Sequence, residues 1–87
     1  MSKFPLGVTV MTPGACEVVG QLEAVILLRR HASGDWGDLD REDKQANEDA
    51  LECGARLLSA YHVNGKKVWV ITEADRSVTT VLLPEDY

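Results

Sequence analysis

The chain reads as an α+β domain, with N-terminal helices packed on a three-stranded antiparallel β-meander. Three observations carry that reading. Asn64-Gly65 separates two runs rich in β-branched and aromatic residues, RLLSAYHV and KKVWVITE, and both central residues of a type I′ hairpin turn need the positive φ that Asn-Gly supplies. Thr12-Pro13 and Asp40 open two amphipathic stretches as N-cap residues do. With 87 residues, 45 % of them hydrophobic, the chain has enough apolar material for one packed core and no more. It is therefore a single domain over 1–87: an N-terminal arm or edge strand (1–11), a helical part (12–54) and the meander (55–87).

In the arm, Phe4, Leu6, Val8 and Val10 alternate with smaller or polar neighbours, while Pro5 and Gly7 weaken a regular strand. Thr12 caps a short helix reaching about Val19, with Pro13 in its first turn, and Gly20 ends it. Leu22 to about Ala32 forms a second helix, in which Leu22, Val25, Ile26 and Arg29 recur at helical spacing and Arg29, Arg30 and His31 lie at the negative end. SGDWGD (33–38) is a turn that places Trp36 between two glycines, as a core plug rather than an exposed anchor. Asp40 caps a third helix, whose narrow stripe of Leu39, Ala46, Ala50 and Cys53 suits close packing on a sheet, and Gly54 stops it.

The two-residue hairpin pairs Val63 with Lys66, Tyr61 with Val68 and Ser59 with Val70. EADR (73–76) connects to a third strand, SVTTVLL, which Pro84 ends. Both faces of the meander are apolar: Leu57, Tyr61, Val68, Val70 and Val81 on one, Leu58, Trp69, Ile71, Val78 and Leu82 on the other. Trp69, in the middle strand, reads as a core residue. A one-sided antiparallel sheet would alternate more cleanly, so the second face needs a cover, either the N-terminal segment or a partner.

Charge is concentrated in one place. Residues 35–52 hold Asp35, Asp38, Asp40, Glu42, Asp43, Glu48, Asp49 and Glu52 against Arg41 and Lys44, a net −6 in a chain of net −5. Such a field attracts basic surfaces and repels nucleic acid, although a solvated helix face would have the same composition. No apolar run approaches the ~20 residues needed to cross a bilayer, and MSKFPLGVTVMT lacks the pattern of a secretory leader. Cys16 and Cys53 then read as buried thiols of a cytoplasmic protein.

Little in the sequence supports chemistry. Asp38, Asp40 and Glu42 occupy positions 1, 3 and 5 of a calcium loop, but the glycine required at position 6 is Asp43. The cysteines lie far apart with no C-x-x-C, and phosphate-loop and dinucleotide fingerprints are missing, so no cofactor or metal is expected. The enzyme alternative is a small metal-independent ribonuclease using His31, His62, Arg76 and Thr79 or Thr80. A sequence pI near 4.8 disfavours phosphate binding. His31 and Arg76 are expected more than ~10 Å apart, outside the reach a shared site needs.

HASGDWGD (31–38), LLSAY (57–61) and VWVITEADRSVTTVLLPEDY (68–87) resemble a family of short uncharacterised proteins carried by bacterial plasmids, phages and integrative elements. The resemblance covers 12–87 and carries over no catalytic residue. It implies the company of mobile-element inhibitors, anti-CRISPR or anti-restriction proteins, by analogy alone. The function expected is a non-enzymatic, acidic DNA mimic of monomeric or weakly dimeric form. Its docking residues would be Asp35, Trp36, Asp38, Asp40, Glu42, Glu48, Asp49 and Glu52, facing a basic protein surface of a host nucleoprotein complex, with no direct nucleic-acid or membrane contact. A dimerising accessory protein of unknown role is the remaining alternative.

Overall fold

The computed structural model describes residues 2–87 as an α+β fold. In chain order the elements are β1 (Val8–Met11), α1 (Pro13–Val18), α2 (Gln21–Ala32), α3 (Arg41–Cys53), β2 (Leu57–Val63), β3 (Lys66–Thr72) and β4 (Val78–Leu82), followed by a 3-10 turn at Pro84–Asp86.

Local signals fix most boundaries. Thr12 accepts a hydrogen bond from the Ala15 amide at the start of α1, and Asp40 accepts one from the Asp43 amide at the start of α3. Gly54 ends α3 at φ 77°. Asn64 and Gly65 take φ 52° and 78° in the hairpin turn, and β2 pairs with β3 in the expected register, Ser59 with Val70 and Tyr61 with Val68.

The sheet differs from a three-stranded meander. It has four strands in the order β1-β4-β3-β2, and β1 runs parallel to β4, Val8 beside Val78 and Met11 beside Val81. The parallel pair needs a long crossover, which α1, α2, α3 and the β2–β3 hairpin provide together. Gly7 makes the close approach feasible: at φ 67° it lies so near the Ser77 carbonyl that a Cβ would overlap it.

One face of the sheet is covered by the helices. Ala15, Val19, Ala24 and Leu27 pack there with Tyr61, Val63, Val68, Val70 and Val81. A second cluster joins Phe4, Trp36, Ala50 and Leu57. The N-terminal segment therefore does not cover the opposite face: Phe4 enters the second cluster and β1 extends the sheet edge. On that opposite face Ile71 and Leu82 are buried but Trp69 is only half-buried, its ring edge-on to Tyr87 at 6.0 Å.

Two helix faces are also turned relative to the expectation. In α2 the buried residues are Ala24, Leu27, His31 and Ala32, and the Leu22, Val25, Ile26 stripe faces solvent. In α3 the buried residues are Asn47 and Ala50, while Ala46 and Cys53 are exposed. Asn47 rotates the helix because its amide matches the edge of β2: Oδ1 accepts from Leu58 N (3.1 Å) and Nδ2 donates to Leu58 O (2.6 Å). Cys16 and Cys53 are both exposed free thiols, not buried ones.

Candidate functional site

The acidic segment begins where the chain leaves α2 and runs along the outer edge of β2. Ala60 N donates to Trp36 O (3.1 Å) and Asp38 N donates to Ala60 O (2.7 Å), so residues 36–38 form a one-residue parallel bridge to the sheet. Gly37 is required there. Its φ is +75°, and a Cβ would overlap the Ala60 carbonyl and press on the Tyr61 ring. Beside it Trp36 is buried at 4 % exposure, stacked on Phe4 at 6.3 Å, with its indole N–H donated to Glu48 at 2.7 Å. That hydrogen bond ties α3 to the core. Trp36 presents no aromatic surface to a partner.

The carboxylates divide by what they hold. Asp35 pairs with Arg30 at 2.7 Å, and this hydrogen-bonded guanidinium draws its pKa below the usual carboxylate range. Both side chains are about half exposed, so the pair contributes at most ~1 kcal/mol. Asp38 meets His62 Nδ1 at 2.6 Å on the surface. Asp40 is spent on the α3 cap and Glu48 on Trp36. Glu42, Asp43, Asp49 and Glu52 stand exposed on α3, and none of the ion pairs among the described residues involves them. Of the eight docking residues expected, Glu42 and Glu52 therefore remain open on α3, Asp49 accepts only from Gln45 Nε2 at 3.0 Å, and Asp43 adds a further exposed carboxylate.

The interior holds a polar chain that sequence reading missed. His31 is fully buried, with Nδ1 2.6 Å from Ser59 Oγ and Nε2 2.9 Å from Thr72 Oγ1. Thr72 Oγ1 lies 2.7 Å from Thr79 Oγ1, and Thr79 donates to the Leu6 carbonyl at 2.7 Å. Each hydroxyl has one proton, so the direction propagates from that carbonyl. Thr79 donates to Leu6, Thr72 to Thr79 and His31 Nε2–H to Thr72, leaving Nδ1 to accept from Ser59. Neutral imidazole in its Nε2–H form satisfies every partner. Burial, with the nearby Arg76 charge adding to it, lowers the His31 pKa to about 4. Ser59, Thr72 and Thr79 are all polar positions on the helix-covered face, and each finds its partner there in His31, in one another or in the Leu6 carbonyl.

The ribonuclease candidates are not gathered at a cleft. His31 and Thr79 are interior, whereas Thr80 points to the opposite sheet face and His62 is exposed beside Asp38. Arg76, at φ 61°, spends its guanidinium on carbonyl oxygens: Ala55 at 2.6 Å, Ala50 at 3.1 Å and Glu73 at 3.2 Å. His31 and Arg76 both pack against Phe4, whose ring lies 5.2 Å from the imidazole and 5.8 Å from the guanidinium carbon. Among the described residues no group of three His, Cys, Asp or Glu side chains is placed to hold a metal, and no helix is long and apolar enough to cross a membrane.

Comparison with protein-family models, with curated proteins and with solved structures finds no match to this chain.

Proposed function

We propose that this chain is a small acidic binding protein of a mobile element, without enzymatic activity. It would lay α3 on a basic, DNA-reading surface of a host defence nuclease complex, as an anti-CRISPR or anti-restriction inhibitor does. The observation behind this reading is the row of carboxylates on α3 with no ion-pair partner within the described chain, on a helix whose inner side is tied down by Asn47 and Glu48. Glu42 to Glu52 spans about 15 Å at ~1.5 Å per residue, comparable to four or so nucleotide steps of ~3.4 Å. A rigid row of this length can occupy Lys and Arg side chains that otherwise meet phosphates, which speeds encounter and selects partners more than it adds raw affinity. The ribonuclease reading is weaker because its two histidines lie in different environments, one of them sealed.

The test is reversal of Glu42, Asp43, Asp49 and Glu52 to Lys together, with Asp40 and Glu48 kept because they hold the cap and Trp36. Tagged wild-type chain should capture a nuclease complex from a lysate of a host bearing CRISPR and restriction systems, and should compete with DNA for it. The reversed variant, with an unchanged circular dichroism spectrum, should do neither. Equal capture by both proteins would sink the proposal.

A further inference from the structure

An unpaired strand edge lies at the end of the sheet opposite the acidic helix. β1 is an edge strand, and its bonds to β4 use the amides of Val8 and Thr12, which donate to Ser77 O and Val81 O at 3.0 Å each. In a parallel pair alternate residues bond to the neighbour, so Thr9 and Met11 turn their N–H and C=O outward. These residues border an apolar groove of about 380 Å³, closed on the other side by Gln21, Ala24, Val25 and Leu28 of α2. Above it Leu22, Val25 and Ile26 of α2 are exposed at 74, 47 and 50 %, while Val8 and Val10, at 65 and 43 %, lie on the opposite face of β1. Five of the six exposed large hydrophobics of the described chain thus lie on α2 and β1. Single exposed apolar residues are ordinary, but a cluster beside an open strand edge marks a contact site.

We infer that this surface binds a second copy of the chain, through antiparallel pairing of β1 with β1 of the partner about a two-fold axis at Val10. The geometry is self-complementary. Thr9 of one copy falls opposite Met11 of the other, and the outward N–H and C=O groups of both residues exchange hydrogen bonds. Val10 then meets its own counterpart at the close, non-hydrogen-bonded position. An axis perpendicular to the sheet keeps the helices of both copies on one face, so the two α2 helices run antiparallel across the seam. The groove residues are centred near Val25, which places Val25 against Val25 and carries Arg29 to the start of the partner α2.

The placement of charge leaves this edge open to a second copy. Glu23 folds back over the start of α2, where its Oε1 accepts from the Gly20 amide at 2.9 Å, on the side of the helix away from Val25. Arg29 has no ion pair among those of the described chain. The strand order puts β1 and the acidic α3 at opposite ends of the sheet, three spacings of ~4.8 Å apart. The two acidic helices are then separated by several Debye lengths of ~8 Å, so the net −5 of each copy opposes this contact least.

Sedimentation equilibrium of the full chain, from about 10 µM to about 1 mM, should show a monomer–dimer equilibrium. Slowed hydrogen exchange at the Thr9 and Met11 amides should track the dimer. Val25→Glu should weaken association at least tenfold by placing like charges at the axis. Thr9→Pro removes one outward donor and no bond to β4, a place where an edge strand tolerates proline, and should weaken it comparably with circular dichroism unchanged. A monomer throughout that range overturns the inference and leaves the edge to a different chain. So does a dimer indifferent to both substitutions.

Discussion

His31 concentrates the cost of acid in one imidazole. Its ordinary pKa of 6.5 falls to about 4 in the fold, so between those values the unfolded chain binds a proton that the folded chain refuses. Stability is then complete above the unfolded pKa and drains away as the pH falls toward the folded one. Between pH 7.5 and 5, where the carboxylates are still mostly ionised, the loss should be about 2 kcal/mol, since each pKa unit corresponds to ~1.4 kcal/mol. Urea titrations across that range measure it. In His31→Gln, which can still donate to Thr72, stability should be nearly flat over the same interval. An equal slope in that variant would assign the acid sensitivity elsewhere.

At the scale of the element, α3 stays in place through a side chain that does a strand's work. Asn47 satisfies both edge groups of Leu58, and the 36–38 segment satisfies those of Ala60. Together they blunt an edge that would otherwise invite pairing with other chains. Asn47→Ala should cost about 1–3 kcal/mol by leaving that N–H and C=O unpaired. Denaturant melts read the cost, and faster exchange of the Leu58 amide locates it. This is also where sequence reading lost its way. Thr12, Asp40, Gly54 and Asn64-Gly65 act within a few residues of themselves, so capping and turn chemistry revealed them. The buried face of α3 turns on Asn47, a polar residue whose partner is backbone on a distant strand, and apolar periodicity is blind to it. In α2 the Leu22–Val25–Ile26 stripe was visible, but apolar residues occur on every side of the helix among the polar ones, and only the tertiary packing chose the Ala24–Leu27–His31 side. The same limit hid the polar chain through Ser59, Thr72 and Thr79, which exists only once three strands are in register. The acidic segment was fully legible as composition, whereas the division of its carboxylates between caps, ties and open positions was not.

For the whole molecule, the segment of net −6 in residues 35–52 bears on the folded state itself. Like charges crowded on α3 repel one another in the native chain more than in the extended one, and salt screens that repulsion. Raising NaCl from about 0.05 to about 0.5 M should therefore stabilise the protein by about 0.5 kcal/mol, a rise of ~2–4 °C in Tm for a domain of this size. The four-residue reversal to Lys should show a much smaller response in the same calorimetric melts. A Tm that falls with salt in the wild-type chain would mean that its ion pairs outweigh the self-repulsion.

The parallel seam between β1 and β4 also dictates an order of events during synthesis. Val8 is made seventy residues ahead of its partner Val78. At ~5–20 residues per second the seventy intervening residues take roughly 4–14 s. Throughout that interval the first strand has no neighbour, and the helices that follow it have no completed sheet to cover. The nascent chain must therefore hold the apolar residues of β1 without their native partner until β4 has been made. Closure of the sheet waits for the last of its four strands, and codon-dependent pauses between β1 and β4 would lengthen the exposure of the first.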